Sequence, residues 1–175
     1  IRAIVESTSL PAMVYDIPGR TGVAIGDECL DRLAEVDQIK AIKDATGDVP
    51  QGFNRMRRTG LEFYSGDDDL NLAWLVHGAS GMVSVVGHVV ADQYRAMVQA
   101  IDDRDLDTAR DLSADLAPIV TAIMGGGQGA VMAKAATHLQ GHIDHPSVRS
   151  PLVEASEEEL AQLRQVLITH NLLEN

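Results

Sequence analysis

Lys43 closes the run Ile39-Lys40-Ala41-Ile42-Lys43, which stops at Asp44-Ala45-Thr46-Gly47. A short β-branched apolar run ending in a Thr-Gly turn reads as a buried strand entering a loop. Side chains alternate along a strand, so Ile39, Ala41 and Lys43 are expected on one face and Lys40 and Ile42 on the other. An amine at the carboxyl end of an apolar face is partly desolvated, and desolvation favours its neutral form. A neutral lysine attacks a ketone and forms a Schiff base. Taken alone, the residue also fits the commoner case of a solvated lysine at a strand end.

Other apolar runs end in residues that complement such an amine. Leu10-Pro11-Ala12-Met13-Val14-Tyr15 reads as a strand closed by Asp16-Ile17-Pro18-Gly19-Arg20-Thr21-Gly22, because Pro18 cannot continue central pairing. Tyr15 has the parity of Pro11 and Met13 and is expected to point inward. A phenol beside an imine-forming amine can shuttle protons. Arg20, in the turn above, has the fork geometry that grips a carboxylate. Singly, Tyr15 also fits a packing aromatic and Arg20 a solvated loop charge. A third strand, Leu61-Glu62-Phe63-Tyr64, enters the turn Ser65-Gly66-Asp67-Asp68, and Gly81-Met82-Val83-Ser84-Val85-Val86 reads as a fourth. At their carboxyl ends, Tyr15 to Arg20, Lys43, Gly66 to Asp68 and Val83 to Ser84 converge on one face. Together they suit a small keto acid.

Helical patterns separate these strands. Ile1 to about Ser7 reads as the end of a helix, and Asp27 as the cap of a helix carrying Leu30, Leu33, Ala34 and Val36. Asp48 to Arg58, Leu70 to His77 and His88 to Ile101 complete the alternation. Strands regularly followed by helices indicate an α/β fold with a parallel sheet. Strands apolar on both faces fit helices outside and a barrel core inside, and (β/α)8 barrels carry chemistry at the carboxyl ends of their strands. A full barrel needs eight such units and about 250 residues. These 175 residues hold four. The expectation is the second half of a (β/α)8 TIM barrel over 1–104, then a three-helix extension over 105–175. The extension comprises Leu106 to Met124, a break at Gly125-Gly126-Gly127-Gln128-Gly129, Ala130 to Leu139, and a last helix opened by a Ser156/Glu159 capping box. A four-strand half leaves two unpaired edges and an uncovered inner face.

Composition narrows the function classes. The chain is 45% hydrophobic but only 3% aromatic, so its core is aliphatic. A formal net charge of −12 argues against nucleic acid as a partner, since no basic patch is present to neutralise phosphates. Cys29 is the single cysteine, which rules out an internal disulfide and fits a reducing, cytoplasmic compartment. It is expected to be a small buried group on a helix. No apolar run is long enough to span a membrane, and the opening residues carry no signal pattern. Asp67-Asp68-Asp69 lacks the alternating ligand spacing of a calcium loop. His138, His142 and His145 lack the fixed frame of a zinc site. The glycine run has no following lysine and is not a P-loop.

The motifs Tyr15-Asp16-Ile17-Pro18-Gly19-Arg20-Thr21-Gly22, Ile42-Lys43-Asp44-Ala45-Thr46-Gly47, Ser65-Gly66-Asp67-Asp68 and Gly81-Met82-Val83-Ser84-Val85 resemble consecutive motifs of the dihydrodipicolinate synthase family. Order and spacing match too, and the helical tail with Leu139-Gln140-Gly141 is similar. The resemblance implies a (β/α)8 fold from the helix after strand four onward. It also implies that Lys43 forms the imine with pyruvate and Tyr15 passes protons during imine formation. Arg20 would bind the carboxylate of L-aspartate 4-semialdehyde, Val83 would offer its backbone carbonyl near pyruvate, and Gly66 would let the backbone approach. No metal or organic cofactor is implied, because the imine is the electron sink. A homo-oligomer, in the family a tetramer, is implied as the assembly. Asp16 stands where the family often has asparagine. The family's early threonine pair and its relay tyrosine match nothing here. Sister enzymes, N-acetylneuraminate lyase and the 2-keto-3-deoxy sugar-acid aldolases, share the lysine and tyrosine; Arg20 favours the synthase because it reads a second carboxylate. A reading of another class is a non-catalytic half-barrel that serves only in assembly.

Overall fold

The computed structural model describes residues 1–126 and 128–174, with only the backbone of Arg2. Gly127, within the run read as a helix break, lies outside the described residues. The chain forms two compact units, Ile1–Val83 and Ser84–Asn175.

The first unit is a four-stranded parallel sheet in sequential order: β1 (Ala12–Asp16), β2 (Ile39–Asp44), β3 (Glu62–Ser65) and β4 (Gly81–Met82). Its helices are α1 (Arg2–Val5), α2 (Pro18–Thr21), α3 (Asp27–Ala34), α4 (Val49–Thr59) and α5 (Asn71–Val76). One sheet face is covered. Val14, Ile42 and Phe63 form a buried cluster with Leu30 and Leu33 of α3, Val49 of α4 and Trp74 of α5. The Phe63 and Trp74 rings stack at 6.1 Å. The other face is open, with Met13 44% and Tyr15 42% exposed.

Several elements differ from the sequence expectation. Ile39 joins Ile42 in the covered core rather than sharing the face of Lys43. The β1–β2 pairing shifts register between Ala12 and Met13, which breaks strict alternation at the entry to β2. Asp27 is the first residue of α3 and Gly26 its cap, so the Asp27 carboxylate is left to pair with arginines. Cys29 is exposed, because α3 buries Leu30 and Leu33 and turns Cys29 to the polar side. β4 is only two residues long: its register partners on β3 are Tyr64 and Ser65, and Ser80 and Val83 on either side add single bonds to the Phe63 and Ser65 carbonyls.

The second unit is helical: α6 (Ala91–Asp102), α7 (Leu106–Met124), α8 (Gly129–Leu139) and α9 (Glu157–Thr169). α7 packs against the other three. Tyr94, Met97, Ile119, Ile123, Val131 and Leu163 are among its buried side chains. α9 opens with the expected capping box: Ser156 Oγ accepts from the Glu159 N–H, and the Glu159 carboxylate accepts from the Ser156 N–H at 2.7 Å. No single helix among the described residues is long and apolar enough to cross a membrane.

Candidate active site

Strand pairing places the reactive side chains. Tyr15 on β1 is the register partner of Lys43 on β2, which is in turn the partner of Tyr64 on β3. Side chains at one register level share a face. Tyr15, Lys43 and Tyr64 therefore stand side by side on the open face, near the carboxyl ends of their strands. Lys43 is half-buried, and its Nζ lies over the Tyr15 ring, 4.1 Å from the centroid. A cation–π contact of this kind is worth about 0.5–1 kcal/mol where solvent reaches it. The Tyr64 hydroxyl donates to Glu62 at 3.0 Å, and that bond raises the phenol's pKa above its ordinary value.

Gly66 follows β3 and leans on Lys43. Its N–H donates to the Asp44 carbonyl at 2.7 Å. A Cβ at this position would stand 2.9 Å from both the Asp44 carbonyl oxygen and Lys43 Cγ. Only a glycine lets the loop approach the lysine stem so closely. The Val83 N–H donates to the Ser65 carbonyl at 2.8 Å, which ties the segment after β4 to the end of β3; Val83 is 38% exposed. Arg20 sits in the last turn of α2, in the loop after β1. It is exposed and makes no ion pair among the described residues. Gly22 closes that turn in the left-handed conformation at φ 75°, which glycine adopts without strain.

Beneath this face lies a charged cluster. Asp16 and Asp44, each adjacent in sequence to a site residue, are register partners and are almost fully buried. Arg55 of α4, also buried, donates to Asp16 at 3.4 Å and to Asp27 at 2.8 Å. Arg58 bridges Asp27 and Asp31 nearer the surface. The bond from Arg55 is the largest cause of the lowered Asp27 pKa. Asp44 shifts the other way. Burial pushes its carboxyl above the ordinary range and nearby Asp16 adds to this, while bonds from the Thr46 N–H and hydroxyl oppose it. Asp44 Oδ2 has no hydrogen-bond partner among the described residues.

Thus Tyr15 and Lys43 are in contact, Gly66 touches the lysine stem, and Arg20 and Val83 lie in the loops after β1 and β4. The burial of Arg55 is not expected from the sequence, where Asp48 to Arg58 reads as a polar helical stretch. A signal was present: Arg55 continues the three-residue spacing of Val49 and Gly52, and all three face the core. Tyr64 reads from sequence only as a strand residue, and its parity matches Lys43 once the strands are registered.

The Dihydrodipicolinate synthetase family matches residues 1–170. The chain is 49% identical over 160 residues to 4-hydroxy-tetrahydrodipicolinate synthase of Kineococcus radiotolerans, covering 91% of this chain and 52% of that protein. It is 47% identical over 150 residues to the synthase of Bifidobacterium longum, covering 86% of this chain and 50% of the relative. The crystal structure of dihydrodipicolinate synthase from Aquifex aeolicus superposes with a TM-score of 0.92 at 29% identity, over 99% of this chain and 60% of that one. The chain spans about half the length of the curated relatives it matches. By these matches, over a parallel sheet of sequential strands with its lysine at a strand end, the chain belongs to the dihydrodipicolinate synthetase family, and its fold is part of a (β/α)8 barrel.

Proposed function

We propose that this chain carries the imine-forming part of a 4-hydroxy-tetrahydrodipicolinate synthase, a lyase joining pyruvate to L-aspartate 4-semialdehyde on the route to diaminopimelate and lysine. One observation supports it most: the Lys43 amine lies against the Tyr15 ring on an open face at the strand ends. In this reading the free amine attacks C2 of pyruvate, and the carbinolamine loses its oxygen as water to leave an imine. The Tyr15 hydroxyl gives and takes the protons. Loss of a C3 proton then yields an enamine, whose C3 bonds to the aldehyde carbon of the second substrate as that C=O opens and its oxygen takes a proton; attack of the second substrate's amine on the re-formed imine releases Lys43. Arg20 holds that substrate's carboxylate. The Val83 carbonyl faces bound pyruvate, and Gly66 allows the β3 loop to pack on Lys43. The imine serves as electron sink, so the reading invokes no metal or organic cofactor. Small-molecule substrates, a homotetramer and a cytoplasmic location belong to the same proposal.

Borohydride added with pyruvate to the full-length protein should leave a stable mass on Lys43. No adduct, or an adduct on Lys40 or Lys134 instead, would overturn the proposal. Turnover of pyruvate with N-acetylmannosamine or glyceraldehyde, in preference to aspartate semialdehyde, would move the assignment to a sister aldolase.

A further inference from the structure

The loop between β1 and α3 carries Arg20, and the backbone of Ile25, just before α3, is gripped on both sides of its Cα. The Ile25 N–H donates to Asp16 Oδ1 at 3.1 Å. The Ile25 carbonyl accepts from the Arg55 guanidinium at 2.9 Å. Asp16 and Arg55 are themselves an ion pair, with side chains 3% and 6% exposed. One carboxylate on β1 and one guanidinium on α4 thus close a ring around a single residue, Ile25, by its N–H and its C=O, and the ring fixes where the loop returns to the sheet. A planar guanidinium is needed: Arg55 spreads Nε to Asp27, one terminal nitrogen to Asp16 and the other to Ile25. A lysine ammonium, as a point charge, cannot hold three partners in that spread. Asp16 follows Tyr15 directly, so the clamp is anchored one residue from the phenol and on the opposite face of β1.

We propose that Asp16 and Arg55 are positioning residues, which clamp Ile25 and thereby set Arg20 to receive the carboxylate of the second substrate. This rests on the functional reading above. It goes further by assigning a task to a buried charge pair that touches no substrate. An asparagine at position 16 could accept the Ile25 N–H but would bring no charge to Arg55.

The test uses the full-length protein with Asp16→Asn and Arg55→Lys, both of which keep the buried volume close to wild type. Two readouts are needed. The first is hydrogen exchange at the Ile25 amide, which is independent of catalysis. It should quicken by about tenfold or more in both variants as the local opening becomes easier. The second is the separation of Michaelis constants. KM for aspartate semialdehyde should rise by about tenfold in Arg55→Lys. KM for pyruvate, and borohydride trapping on Lys43, should stay within about twofold. A merely structural role would move both substrates together. Unchanged exchange at Ile25, or equal rises in both KM values, overturns the clamp. If wild type gives no pyruvate adduct, the functional reading fails, and the exchange measurement still decides whether the clamp exists. Should Arg55→Lys not fold, Asp16→Asn carries both readouts, with the same expected rise in KM for aspartate semialdehyde and the same constancy for pyruvate.

Discussion

Replacing Gly66 with alanine tests whether the β3 loop controls the lysine. The added methyl would sit 2.9 Å from the Asp44 carbonyl oxygen, 2.9 Å from Lys43 Cγ and 3.1 Å from Ala45 Cβ. Ordinary van der Waals separation requires a retreat of about half an ångström. The carbonyl belongs to β2 and holds the Gly66 N–H, so it yields little. The lysine stem is the softer neighbour. A shift at Cγ is carried along the remaining bonds to Nζ, so the amine moves by on the order of 1 Å, a misplacement that can cost about 10²-fold in rate. Overpacking adds a stability loss of about 1–3 kcal/mol. The assay is the rate of borohydride trapping of pyruvate on Lys43 in the full-length protein, read by intact mass, with urea unfolding alongside. Gly60→Ala is the control. Gly60 closes α4 at φ 68° with nothing within 4 Å of its would-be Cβ. That variant should lose about 1–2 kcal/mol from backbone strain alone and trap pyruvate at the wild-type rate. Wild-type trapping by Gly66→Ala, or an equal loss in Gly60→Ala, would refute the reasoning.

Other perturbations follow from the same geometry. Tyr15→Phe keeps the ring beside Lys43 and removes only the hydroxyl; trapping should slow by about 10²-fold or more while stability changes by no more than about 0.5 kcal/mol, and an unchanged rate would remove Tyr15 from proton transfer. Asp44 has a folded pKa raised by burial, so its favourable contribution is present below the unfolded value of 3.8 and is lost as pH rises through the folded pKa. Asp44→Asn should therefore be more stable than wild type in urea at pH 7, by a margin that shrinks on acidification toward pH 4; a margin that does not vary with pH would count against this. Gly52→Ala places a methyl 2.0 Å from the buried Trp74 ring. It should destabilise by about 1–3 kcal/mol, although helix propensity alone favours alanine by about 1 kcal/mol, and a gain in denaturant midpoint would show that the contact relaxes freely.

Local pattern carried much of this protein. The alternation of apolar runs and helical stretches, the turns after Tyr15, Lys43 and Tyr64, and the Ser156/Glu159 cap were all legible, because each depends on residues within a few positions of one another. Strand parity also grouped Tyr15 with Met13, and both stand on the open face, since alternation is a property of the strand itself. Ile39 and Cys29 were misplaced for the converse reason. A register shift belongs to a strand pair, and the buried side of a helix is set by what the helix packs against.

Sequence by itself determined which residues could perform chemistry and at which end of each strand they lie. Tertiary structure alone decided that the Lys43 amine meets the Tyr15 ring, that Gly66 must lack a side chain, and that Arg55 reaches Asp16 and Ile25. These contacts join segments far apart in the chain. They exist only once parallel pairing has set one strand against the next and α4 has been laid under the sheet.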